Sequence, residues 1–159
     1  MAGTEDATIG RAGMRPASHH LNVLDADECW ARLRQHDLGR ISFVSEGWPR
    51  IFPVNYAAGE GAIVFRTAPG AKLTYGPSAR VCFEIDGVDV WSGSGWSVMA
   101  IGVLEDITDL SDDRGQRLRK LAVHPVAPGE KMHWLSLTPQ ELSGRSFKGG
   151  WFIPGAYVG

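Results

Sequence analysis

Arg66 and Thr67 close a stretch of mostly apolar residues, Pro69 and Gly70 follow, and Lys72 stands six positions beyond the arginine. The guanidinium offers a planar fork of N–H donors and the ammonium a compact charge. Between them lie a hydroxyl and a glycine-containing bend whose backbone N–H groups can turn outward. That combination suits a phosphate dianion. Each charge-assisted hydrogen bond of this kind contributes about 1.5–3 kcal/mol. The bend is not a nucleotide-binding P-loop, because it lacks the GxxxxGK[ST] spacing. By residue type and spacing alone, the same residues also fit an ordinary surface turn flanked by two charges.

Other groups capable of chemistry are more scattered. Glu84 and Asp86 alternate along one segment and read as a solvated strand face, with an acid pair as the alternative. His124 and His133 are nine apart, a spacing that matches neither a zinc site nor one helix face, and adjacent His19 and His20 read as part of a solvated tail. Ser42, Ser97 and Ser136 lack a nucleophile-elbow context. Cys29 and Cys82 are not in CxxC spacing and read as reduced, small core residues. No catalytic side chain and no metal ligand is assigned.

Period-2 and period-3.6 patterns give the elements that position these groups. Residues 1–20 have no period and read as a flexible tail, and residues 21–159 as one domain. Asp25 followed by Glu28 is a capping-box pattern, opening a helix with Ala26, Trp30 and Leu33 on one face and Gly39 as its stop. Three short strands then alternate with tight turns at Glu46-Gly47 and Gly59-Glu60-Gly61, as in a β-meander. Pro53 interrupts the second, which places it at an edge, a strand start or a bulge. Residues 80–91 form a fourth strand, 95–109 a long fifth, and 133–148 a last one. The segment 109–123 reads as a helix capped at Ser111, with Leu118 and Leu121 inward. The predicted fold class is mainly β (α+β), a six-stranded antiparallel split barrel with peripheral helices. Of the six tryptophans, Trp30 reads as core, Trp48 as exposed or at an interface, and Trp151 as core or rim packing, with closure over a partner's site as the alternative.

The run PVNY, then VFRTAPGAKL, VCFEID and GWSVMAIG, resembles the pyridoxamine 5'-phosphate oxidase-like family of flavin-binding split barrels. It looks most like a small actinobacterial branch similar to flavin- and deazaflavin-dependent oxidoreductases. The resemblance covers about residues 24–108 and implies FMN as cofactor, with a deazaflavin as the alternative. It implies that Phe52, Pro53, Val54 and Asn55 run along the flavin ring, and that Arg66, Thr67, Lys72 and Leu73 hold the phosphate. Trp96 and Ser97 would approach the ring or the ribityl chain, with simple packing the competing reading for Trp96. Leu73 stands where the family often has a second basic residue. The chain lacks a terminal segment like that which holds the pyridoxamine phosphate oxidase substrate, so that activity is not expected. The resemblance also implies a homodimer with the cofactor in a groove between subunits. Val98, Ala100, Val103 and Leu104 are the residues available for that interface.

Composition is consistent with this. The 159 residues include 16 Lys+Arg and 18 Asp+Glu, a formal net charge of -2. That argues against nucleic acid as a partner and gives no polybasic membrane anchor. No apolar run approaches the roughly 18 residues of a membrane span, and the first residues lack a signal core, so a cytoplasmic location is expected. The expected partners are a second copy of the chain and a small, planar substrate. A non-catalytic flavin-binding module is the alternative to an oxidoreductase.

Overall fold

In the computed structural model, the residues described are 20–68, 79–125, 129–130 and 132–148. They form β1 (His20–Leu24), α1 (Ala26–Gln35), β2 (Leu38–Ser45), β3 (Trp48–Gly59), β4 (Ala62–Thr67), β5 (Arg80–Asp89), β6 (Ser94–Asp106), α2 (Asp113–Arg119) and β7 (His133–Lys148). The strand order is β1-β7-β4-β3-β2-β5-β6, all antiparallel, and β6 pairs back onto β7. Six strands thus close a ring, as expected from the sequence. β1 is a seventh strand that the expectation lacked.

β7 makes the closure possible because its length serves three neighbours. One edge pairs with β6 from Leu135 to Phe147. The other edge pairs with β4 through His133–Leu137 and with β1 through Gly144–Lys148. Gly144 permits the β1 end, since a Cβ there would lie 2.6 Å from the Cys29 sulfur.

Alternation fills the barrel. Ile41 and Phe43 of β2, Ile63 and Phe65 of β4, Phe83 and Ile85 of β5, and Val98, Ala100 and Leu104 of β6 are buried in one core. β4 is buried on both faces, because Ala62 and Val64 sit in a second cluster with Ile107, Leu118 and Val123 beneath α2. The β2–β3 and β3–β4 turns place Glu46, Gly47, Glu60 and Gly61 at positive φ, the mirror-image turn geometry that suits the strand twist.

The helices differ in detail from expectation. α1 carries the capping box, with Glu28 N donating to Asp25 Oδ1 at 2.8 Å and Asp25 N to Glu28 Oε2 at 2.9 Å. Its buried face is Cys29 and Leu33, while Ala26 is exposed and Trp30 half-buried. The helix stops at Gln35 with His36 extended, and Gly39 belongs to β2, where Phe83 leaves no room for a Cβ. α2 is capped by Asp112, not Ser111, because the Asp112 carboxylate accepts from Gly115 N at 2.6 Å. It is also shorter than the segment 109–123. Cys82 is half-buried on the barrel's outer face and is not a core residue.

Candidate functional site

The two sequence motifs meet where β3 and β4 part. Pairing between these strands runs from Gly59↔Ala62 to Tyr56↔Phe65. Beyond that pair β3 continues along β2 through residues 55 to 48, and β4 continues along β7 through Arg66↔Trp134 and Thr67↔His133. One wall of the resulting fork is therefore the segment 52–55, and the other is Arg66-Thr67. Pro53 lies in the overhanging half of β3, where its missing N–H takes nothing from the β4 ladder.

Within the fork the side chains alternate. Val54 is buried and Phe52 half-buried, stacked on Phe43 at 5.6 Å between ring centroids. Pro53 is exposed. Asn55 donates from Nδ2 to the Asp37 carbonyl at 3.4 Å. The four residues thus offer an outward ligand mainly backbone, with Pro53 and Asn55 as the side chains on that face.

Arg66 is half-buried, and its guanidinium carbon lies 5.0 Å from the centroid of the Trp134 ring. The charge thus sits over the face of the ring in a cation–π contact. Thr67 is buried, and its hydroxyl donates to the Ala68 carbonyl at 3.1 Å. Lys72 and Leu73, the other half of the expected anion pocket, lie outside the described residues. So does Trp151.

Tyr56 closes the fork from inside. Its ring meets Phe83 edge-on at 4.9 Å, and its buried hydroxyl has no hydrogen-bond partner among the described residues. Burial, with Asp37 nearby, pushes the hydroxyl pKa well up, so it stays neutral.

Trp96 and Ser97 point to opposite faces of β6. Trp96 packs against the barrel core under α1, with Arg32 4.8 Å above its ring and His36 4.9 Å away. Gly87 permits this, since a Cβ there would lie 2.7 Å from the indole. Ser97 is exposed and lines an outer cleft of about 300 Å³ with Glu84, Met99, Ser143 and Arg145. The structure therefore brings 52–55 together with 66–67, while Trp96 and Ser97 serve two other environments.

Sequence reasoning missed two partners. Trp134, the ring beneath Arg66, is recognisable only once β4 and β7 are paired. Arg40 bridges the two carboxylates read as a solvated face, at 3.3 Å to Glu84 and 2.5 Å to Asp86. Burial and the Asp86 charge raise the Glu84 pKa despite that bridge. Three of the four residues expected at an interface, Val98, Ala100 and Leu104, are instead buried in the chain's own core, so they are unavailable to a partner. The outward residues of β6 include Met99, Ile101 and Val103.

Comparison with known proteins places the fold. A family model described as pyridoxamine 5'-phosphate oxidase matches residues 25–146. A FAD-binding protein of Mycobacterium smegmatis is 31% identical, with a TM-score of 0.61 over 81% of this chain and 100% of its own. A Corynebacterium glutamicum protein described as a candidate pyridoxamine 5'-phosphate oxidase is 31% identical, with a TM-score of 0.68 over 82% and 96%. An uncharacterised protein of Mycobacterium tuberculosis, Rv0080, is 32% identical over 92 residues, which span 54% of this chain and 60% of that relative.

Proposed function

The chain belongs to the pyridoxamine 5'-phosphate oxidase family, and from that premise we propose that it is a flavin-dependent oxidoreductase working as a homodimer. The observation that carries the reading is the fork between β3 and β4. It sets an overhanging strand, with its backbone polar groups, against a guanidinium held on an aromatic ring. The FAD bound by the Mycobacterium smegmatis relative supports a flavin of some kind. FMN is the form we assign first, and a deazaflavin is the alternative.

The residues present fit such a group. A tricyclic ring with polar edges needs backbone donors and acceptors beside an apolar wall, which 52–55 supply. Its phosphate needs a cation with in-plane donors, which Arg66 supplies. When bound, the flavin supplies hydride transfer to or from a small planar substrate. The protein's own part is to bind and orient. Arg66 anchors the anionic end, Asn55 fixes the polar edge of the ring, and the strand backbone sets its plane. No side chain in the fork is assigned as a catalytic acid or base. The second subunit would close the groove with its outer face, and Ser97 would enter the site from there.

The test is the absorbance spectrum of the protein as purified, followed by mass identification of the released ligand. A flavin spectrum with a mass of FMN or FAD supports the reading and decides between them. A colourless protein that binds deazaflavin tightly selects the alternative. A protein that binds neither, even after titration, overturns it.

A further inference from the structure

The outer faces of β5, β6 and β7 form a cleft of about 300 Å³ whose two sides carry opposite charge. The strand registers fix its layout. Glu84, Met99 and Ser143 share one row across the three strands, and Ser97 and Arg145 share the next. Arg145 enters no ion pair among the described residues. On the opposite side, Arg40 lies 3.3 Å from Glu84 and 2.5 Å from Asp86, which holds both carboxylates toward β2. Met99, 40% exposed, lies between the two sides, with Ser97 and Ser143 beside it.

This layout selects a ligand. Two inter-strand spacings, about 10 Å, separate β5 from β7, the scale of one small ring with a substituent at each end. The Met99 thioether is a favourable neighbour for an aromatic ring. A carboxylate suits the Arg145 side, because a guanidinium fork takes it in two parallel hydrogen bonds and a serine hydroxyl can add another. An N–H or O–H donor suits the Glu84 side. A dianion fits less well, since Glu84 and Asp86 face it across the cleft. We propose that this cleft binds a small planar monocarboxylate with a hydrogen-bond donor at its far end. That such a molecule is the oxidoreductase's substrate rests on the reading above, in which Ser97 enters the site; that it binds here does not.

Titration of the protein as purified with 4-aminobenzoate, benzoate and aniline, followed by the methionine methyl resonances, tests it. 4-Aminobenzoate is expected to bind and to shift the Met99 methyl by its ring current. Met132, which precedes the far end of β7, stays unmoved. Benzoate lacks the donor and should bind more weakly, and aniline lacks the carboxylate and should not bind measurably. Arg145→Ala should weaken 4-aminobenzoate at least about 10-fold, and Glu84→Ala should bring it down to the level of benzoate. Both side chains lie on the outer face, so neither change touches the core. An affinity unaltered by Arg145→Ala, or aniline binding as tightly as 4-aminobenzoate, overturns the proposal. So does binding that leaves the Met99 methyl in place, which would put the ligand elsewhere, the flavin fork included. A protein that binds 4-aminobenzoate as described yet takes no flavin upholds the cleft and removes only the substrate role.

Discussion

Arg66 illustrates how one residue's neighbours decide what its type can do. An arginine at a strand end is ordinary until its guanidinium is held over an indole, 5.0 Å from the ring centroid. That contact orders the guanidinium beforehand, so less side-chain freedom is lost when an anion binds. Arg66→Ala is expected to weaken FMN binding by about 1.5–3 kcal/mol, or roughly 10- to 150-fold in Kd. Trp134→Phe keeps an aromatic face and should retain most of the affinity, whereas Trp134→Ala should lose a measurable part with Arg66 still present. Titration of the apo-protein followed by flavin fluorescence reads all three, and an unchanged Kd for Arg66→Ala rejects the anchor. Tyr56 argues the opposite way. Its ring packs on Phe83, but its buried hydroxyl has no partner among the described residues. A desolvated group without a partner costs about 1–3 kcal/mol, so Tyr56→Phe should preserve or raise stability in urea unfolding. A loss of more than about 1 kcal/mol would mean the hydroxyl is satisfied in solution.

At the level of elements, the crossing of β6 and β7 is the most constrained. The register slips between Ile101 and Gly102, and a Cβ on Gly102 would lie 2.6 Å from the Thr138 carbonyl oxygen. That atom belongs to the backbone and cannot swing aside. Gly102→Val is therefore expected to destabilise the fold by about 1–3 kcal/mol, read as a lowered urea midpoint, while the exposed Ser97→Ala changes stability little. The same elements show what the sequence could disclose. Ile41 and Phe43 alternate with outward residues, and Asp25 with Glu28 states the start of α1, so those elements were legible locally. The six strands of the closed ring were legible for the same reason. β1 was not, because its apolar Leu21 and Val23 point outward and its pairing partner lies over a hundred residues away. α2 began one residue late because two adjacent polar residues both suit a cap, and only Asp112 reaches Gly115 N. In the fork, the motifs at 52–55 and 66–67 could be read, but Trp134 could not. Trp96 and Ser97 were grouped as neighbours in sequence, yet a strand sends adjacent side chains to opposite faces.

Over the whole molecule, the barrel's outer surface separates into a helical side and an open side. α1 and α2 cover Trp96 and the second core cluster. The open side, across β3, β2, β5 and β6, presents Val44 and Ile51 on the hairpin, the Arg40–Glu84–Asp86 bridge beside them, and Met99 further on. Val44 pairs with Pro49 and Ser42 with Ile51, so Val44 and Ile51 lie diagonally on one face, beside the half of β3 that overhangs β4. A second copy seated here would thus border the fork, which is what a shared cofactor groove requires. A stable interface of this kind buries about 800 Å² per partner, with apolar residues at its centre and charged bridges at its rim. Light scattering at micromolar concentration is therefore expected to give the mass of a dimer. Ile51→Asp places a carboxylate at the apolar centre while touching none of the chain's own core, and should shift that mass to a monomer with secondary structure unchanged. Flavin affinity should fall in the same variant, because the groove loses its second wall. A wild-type protein that is monomeric with flavin bound would leave the fork as a one-subunit site and remove the role given to Ser97.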